Sequence, residues 1–149
     1  MVGPSKRYKL ADSAQQVVGG FLLAGPFVVT EEVWVLAANM STLHGLVTVA
    51  IVGAIGYGAL YKADDDRNPD RELEVGGIPL RFVSLMVVSF GSVAILALAF
   101  TAPETFLVGD GDGILTNPTE TEMAVTTLKA ISVGAIFSVV GAATADSLL

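Results

Sequence analysis

The chain has 149 residues, of which 52% are hydrophobic and 15% are charged, whereas soluble domains have roughly 25% charged residues. A net charge of −7 argues against a nucleic-acid partner, because phosphate binding needs basic side chains. With no cysteine and one histidine, we expect no disulfide, no metal site and no cofactor. These values predict one integral membrane domain over residues 1–149. The excess of acids is typical of a halophile, which we expect to be archaeal.

Four apolar runs divide the chain, at about residues 17–38, 43–61, 79–101 and 120–145. Each is close to the ~20 residues that a helix needs to cross a bilayer. Helices are the natural spanning form here, because backbone polar groups must be paired internally in lipid. The pattern predicts an all-α polytopic membrane protein with a bundle of four transmembrane helices.

Start signals accompany three of these runs. Ser41 can cap the second helix, and Pro79 suits the first turn of the third, where its missing N–H costs nothing. Thr119 and Glu122 have the spacing of a capping box for the fourth helix. These signals support the predicted helix boundaries.

The basic residues predict the orientation in the membrane. They precede the first run or lie between the second and third, at Lys6, Arg7, Lys9, Lys62, Arg67, Arg71 and Arg81. Residues 39–42 and 102–121 contain no lysine or arginine. Basic loops stay on the cytoplasmic side, so we expect a multi-pass protein of the cell membrane with both termini in the cytoplasm.

Two features suggest internal repetition and assembly. Pro26 precedes Glu31 and Glu32 in the first run, and Pro103 precedes Glu104 after the third, which is the basis for a hypothesis of two duplicated helical hairpins. The similarity of these two Pro–Glu patterns could also arise by chance. Small residues recur at every fourth position, at Ala130, Gly134, Ser138 and Ala142, and again at Gly20 and Ala24. Such spacing favours close helix packing, and we expect a homo-oligomer because four short helices enclose little interior.

A polar stretch interrupts the first run at Pro26, Thr30, Glu31, Glu32 and Trp34. An ionisable side chain at the bilayer centre costs at least about 2.5–3.5 kcal/mol and marks a functional site by default. We therefore predict that Glu32, Glu31 and Thr30 bind an ion or a proton. In the alternative, both acids lie near the outer interface and reach water. Trp34 is expected at the headgroup belt, and the helix could be continuous through Pro26 or broken at Thr30.

Lys129 is the predicted partner of these carboxylates. It lies about 13 Å below the outer end of the fourth helix, and Glu32 lies about 10 Å deep from the same side. An unpaired buried lysine is costly, so we predict that Lys129 faces Glu31 or Glu32. The alternative is a lysine that extends along its own helix to the interface.

Other polar positions are secondary candidates. His44 begins the second helix, and an imidazole can change its charge near neutral pH, although such a histidine more often forms hydrogen bonds near the interface. Thr101, Glu104 and Thr105 form a polar cluster at the outer end of the third helix. Asp146, at the inner end of the fourth helix, is expected to face cytoplasmic water.

The first run also resembles a known family. Gly20, Pro26, Thr30, Glu32 and Trp34 follow the Gly…Pro-x-x-x-Thr-x-Glu-x-Trp pattern of an uncharacterised family of predicted integral membrane proteins, a domain of unknown function found in haloarchaea and cyanobacteria. The resemblance covers about one helix. It implies a membrane location and favours Glu32 over Glu31 as the motif carboxylate.

Two functional hypotheses follow. In the first, the protein is an ion or proton pathway in which Glu32 binds a monovalent cation or a proton and Lys129 is the counter-charge. In the second, it is a non-transporting structural or accessory subunit of the membrane. No combination of residues points to catalysis, so we expect no enzyme activity.

Overall fold

The structure is a computed structural model that describes residues 10–62 and 74–148. Its long helices are α1 (Leu10–Val28), α2 (Glu31–Asn39), α3 (Thr42–Tyr57), α4 (Leu80–Ala99) and α5 (Glu120–Leu148). Two short π-helical segments are named here the inner π turn (Gly58–Lys62) and the outer π turn (Pro103–Val108). We call the end of the bundle where α4 ends and α5 begins the outer end, and the opposite end the inner end.

Three helical segments of the described chain are long and apolar enough to cross a membrane, namely Thr42–Tyr61, Leu80–Ala99 and Glu120–Asp146. α1 and α2 pass the same test together and would be a fourth span if the bent pair counts as one. The all-α polytopic membrane architecture predicted from the apolar runs is therefore confirmed, with three spans or four by length and composition.

The first predicted helix is broken. α1 continues two residues past Pro26, and α2 then leaves at 81° to it. Thr30, in an extended conformation, is the N-cap residue of α2, and its hydroxyl donates a hydrogen bond of 2.7 Å to the carbonyl of Pro26. A proline removes one helical hydrogen bond and crowds the preceding turn. The open question of a continuous or broken helix is thus answered in favour of a break next to Thr30.

α1 and α5 are antiparallel and touch through their backbones. A Cβ atom on Gly19 would lie 2.1 Å from the carbonyl oxygen of Gly141, and one on Gly141 would lie 2.3 Å from the oxygen of Gly19. α4 joins the pair at Gly134, where a Cβ atom would lie 2.8 Å from Val93. Small residues permit such approach in lipid, so the prediction that they mediate helix packing is confirmed for this interface.

α3 lies at the edge of the bundle. Gly56 packs against Val139 and Met86, but Leu43 and Leu46, near the start of the helix, are exposed. Only 17% of the span that begins at Thr42 is buried inside the chain. Most of this helix therefore faces lipid or another protein.

Both predicted capping motifs form. The hydroxyl of Ser41 accepts from the backbone N–H of His44, whose Nδ1 accepts from the N–H of Ser41. Thr119 and Glu122 exchange the corresponding pair of bonds at 3.1 and 3.2 Å. Each box satisfies backbone donors that the first helical turn would otherwise leave unpaired.

A small hairpin precedes α4 and was not part of the helical prediction. β1 (Glu74–Val75) pairs antiparallel with β2 (Ile78–Pro79) across Gly76 and Gly77. Both glycines have positive φ, as a two-residue hairpin of this kind requires. Pro79 ends the hairpin and is the N-cap of α4, one position before the helical turn in which it was predicted.

Candidate functional site

Trp34 fastens the corner between α1 and α2. Its side chain is 1% exposed, and its Nε1–H donates a 3.0 Å hydrogen bond to the carbonyl of Val28, the last residue of α1. Its ring stacks on Phe106 of the outer π turn with centroids 6.0 Å apart. After the 81° bend this side chain packs inside the bundle, and the expected location of Trp34 at the headgroup belt stays a prediction.

Lys129 binds the far end of α2. Its Nζ donates a 2.6 Å hydrogen bond to the carbonyl of Met40, one residue beyond that helix. A helix C-terminus carries partial negative charge and unpaired carbonyls, which suit a lysine. No ion pair joins Lys129 to Glu31 or Glu32 in the described chain, so the predicted pairing is corrected: the bend brings the carboxyl end of α2 to α5, away from the acids at its start.

Glu31 and Glu32 occupy the first turn of α2, and both are exposed. Negative charge is stabilised at that position by the helix dipole. Because α1 runs antiparallel to α5 and ends near the outer end, this geometry matches the alternative in which both acids lie near the outer interface. The ion-binding roles of Glu32, Glu31 and Thr30 stay predictions.

The secondary candidates form local contacts at the outer end. His44 is exposed and serves the cap of α3. The hydroxyls of Thr101 and Thr105 are 3.3 Å apart, so this part of the predicted cluster forms. Glu104 is exposed beside them, and Pro103, which begins the outer π turn, is buried.

The inner end holds a buried charged network that joins three helices. The guanidinium of Arg81 in α4 lies 2.9 Å from Asp146 of α5 and 3.2 Å from Asp12 of α1. Arg81 is 1% exposed and Asp146 is 4% exposed. The expectation that Asp146 faces water is therefore wrong, since its carboxylate is buried against the guanidinium of Arg81.

Neutral polar side chains complete this network. Gln16 donates through Nε2 to Asp146 at 3.1 Å and accepts through Oε1 from the hydroxyl of Ser84 at 2.6 Å. The hydroxyls of Ser84 and Ser13 are 3.1 Å apart. Inside a protein such connected bonds are strong, and a missing member is costly. The network therefore fixes the relative positions of α1, α4 and α5.

Polar groups continue from the network into the bundle along the contact between α1, α4 and α5, which we call the seam. The hydroxyls of Ser92 and Ser138 are 3.0 Å apart, and Ser138 donates to the carbonyl of Gly20 at 3.1 Å. Ser138 precedes Asp146 by eight residues, or about 12 Å along a helix. The seam thus places hydrogen-bonding groups well inside the apolar core.

The sequence pattern did not reveal this network, because Arg81 also fits the positive charge of the loop between the second and third runs. Its signal was present, since Arg81 lies inside the apolar run 79–101 and an arginine there needs a partner. Of the other basic residues used for the orientation, Lys6, Arg7, Lys9, Arg67 and Arg71 lie outside the described residues. The orientation therefore stays a prediction.

The chain belongs to the family described as "Putative integral membrane protein (DUF2391)", whose sequence profile matches residues 4–145. The match extends the resemblance seen in the first apolar run to almost the whole chain and confirms it. No curated protein and no solved structure matches the chain significantly. Membrane localisation thus has two supports, the family and the apolar helices.

Proposed function

We propose that this integral membrane protein provides a pathway for a proton or a small monovalent cation along the seam of α1, α4 and α5. The observation that supports the proposal is the network in which the buried Arg81 and Asp146 meet the partly exposed Asp12. Ionisable residues inside a membrane bundle are costly and typically mark ion or proton paths. This proposal places the ion-binding residues at the inner end, whereas the sequence alone predicted Glu32 and Lys129.

Arg81 acts in this proposal as an internal counter-charge that the transported species displaces. A proton or cation that binds Asp146 or Asp12 weakens the attraction of that carboxylate for the guanidinium. Gln16 bridges Asp146 and Ser84 and so transmits the change to α4. Ser92 and Ser138 offer the next polar groups inward. At the outer end, the exposed Glu31 and Glu32 attract cations, while Thr30 and Lys129 hold α2 in position.

The test is ion flux in proteoliposomes at high salt under an imposed potential, with protons, sodium and potassium measured separately. We expect Asp146→Asn to abolish the flux of one species. The matched control is Asp110→Asn, which removes one exposed carboxylate of the outer loop and should leave flux unchanged. Absence of flux for every ion with folded wild-type protein would refute the proposal. Loss of flux in Glu32→Gln but not in Asp146→Asn would instead indicate that the ion-binding site is on α2.

A structural or accessory subunit is the second candidate. The apolar side of α3 is largely uncovered, which favours binding to another membrane protein. The ion pairs and hydrogen bonds of the network could equally serve only to hold the helices together. The paired change Arg81→Gln with Asp146→Asn separates the two functions. It should eliminate transport in the first case, and should leave the assembly of a scaffold intact in the second.

The proposal includes an assembly and an orientation. We propose a homo-oligomer in the cell membrane with both termini in the cytoplasm and without catalytic activity. Native mass spectrometry from detergent would give the number of copies, and protease access to terminal tags in sealed vesicles would give the orientation. A monomer, or termini on the outer side, would contradict these parts independently of the flux result.

A further inference from the structure

An apolar cavity lies at the outer end, away from the seam. Its volume is about 580 Å³, and it opens between the end of α4, the outer π turn and the start of α5. Its apolar wall includes Leu98, Pro103, Met123, Ala124 and Leu128. Small-molecule sites in proteins have volumes of roughly 300–1,000 Å³ and mostly apolar walls. The cavity is wide open rather than enclosed, and it has the volume and the lining for an organic ligand.

Two carboxylates lie at this cavity. Glu104 and Glu120 are both among its lining residues, and both are exposed. Neither side chain forms a hydrogen bond or an ion pair within residues 10–62 and 74–148. Because residues 102–121 contain no lysine or arginine, no positive charge of the same loop balances them. A ligand that is complementary to both the wall and these acids would be apolar and positively charged.

Glu104 also belongs to a second, polar cavity. That space, of about 420 Å³, is lined by Glu104, Thr105, Gly109, Asp110 and Asp112. Acidic clefts concentrate cations near their surface. No group of three acids or histidines in the described part of the chain has a geometry that could hold a metal ion.

We propose that the apolar cavity binds a lipophilic organic cation, with its hydrocarbon part against Leu98, Met123 and Leu128 and its positive centre beside Glu104 and Glu120. The complementarity has two parts. A neutral amphiphile would leave the carboxylates without a counter-charge, and a hydrophilic cation would gain nothing from the apolar wall. This site uses none of the residues of the seam, so it does not depend on the proposed pathway.

The experiment measures equilibrium binding of tetraphenylphosphonium to the full chain in nanodiscs of lipids without net charge. Triphenylphosphine oxide, which has similar aromatic groups and no charge, is the neutral probe. We expect saturable binding of the cation and at least tenfold weaker binding of the neutral probe. Glu104→Gln combined with Glu120→Gln should weaken cation binding at least tenfold. Ala124→Leu, which fills the cavity, should weaken both probes.

Glu122→Gln is the matched control. Glu122 lies in the same helical turn as Glu120 but outside the cavity, and its carboxylate accepts from the N–H of Thr119; a glutamine oxygen can accept the same bond. Its cation binding should equal that of the wild type. Equal losses in Glu122→Gln and in the double variant, equal affinity for both probes, or no saturable binding by folded protein would each overturn the proposal. None of these results would alter the flux measurement.

Discussion

Arg81 and Asp146 are 65 residues apart in the chain, yet their side chains meet at 2.9 Å inside the bundle. The contact joins the first turn of α4 to the end of α5, and Asp12 brings the start of α1 to the same guanidinium. Three helix ends thus share one charged centre. Because charges in a low-dielectric interior need partners, these ion pairs fix the positions of the three helix ends relative to one another.

Substitution of Arg81 and substitution of Asp146 should lower the free energy of unfolding by different amounts. Arg81→Met removes the guanidinium that both carboxylates contact, and breaking a buried pair costs about 3–5 kcal/mol. Asp146→Asn leaves Arg81 paired with Asp12, so we expect a smaller loss of the free energy of unfolding. Reversible unfolding by sodium dodecyl sulfate in mixed micelles measures both. A larger loss for Asp146→Asn than for Arg81→Met would contradict the geometry of the network.

The contact between Gly19 and Gly141 makes a second prediction. In Gly19→Ala the added methyl would lie 2.1 Å from a backbone oxygen, and overpacking of this kind costs about 1–3 kcal/mol. Gly53→Ala is the control, because a Cβ atom there meets nothing within 4 Å and alanine is preferred in a helix by about 0.5–1 kcal/mol. In the same unfolding assay, Gly19→Ala should lower the free energy of unfolding and Gly53→Ala should raise it. Equal effects would mean that α1 and α5 are not in backbone contact.

Lys129 and Glu32 should act independently of each other. Lys129→Met leaves the Met40 carbonyl without its charged donor, and the loss of such a bond costs about 1–3 kcal/mol. Glu32→Gln changes an exposed side chain and should cost little. Since the two residues share no partner, we expect the double variant to equal the sum of the single variants within about 0.5 kcal/mol. A coupling well above this value would show that the ion pair predicted from the sequence does form.

Trp34, the single tryptophan of the chain, reports directly on the α1–α2 corner. With a side chain 1% exposed, its fluorescence should resist quenching by acrylamide from water and by quenchers attached to lipid headgroups. Trp34→Phe removes the bond from Nε1 to Val28 and should cost about 1 kcal/mol. Strong quenching by the headgroup-attached quenchers would instead show that Trp34 lies at the membrane interface.

Local features of the sequence were sufficient for the helical architecture. The apolar runs predicted α3 and α4 to within a few residues at the positions where each helix begins; the Ser41 cap and the Thr119 box both form as expected. Helix periodicity and capping depend on residues a few positions apart, so they can be read along the chain. The hairpin at Gly76 and Gly77 was missed because a two-residue strand carries almost no periodic signal.

The choice of partners was decided only by the tertiary structure. The sequence singled out Lys129 and Glu32 as charges that needed partners, but the 81° bend after α1 determined that Lys129 binds the Met40 carbonyl. Gln16 and Asp146 meet across 130 residues, and no local pattern encodes that distance. The sequence by itself determined which segments are apolar enough to enter a membrane, because apolarity is a property of each segment. The packing of α1, α4 and α5 decided which charges are buried, because a buried charge is stable only beside a partner that another helix supplies.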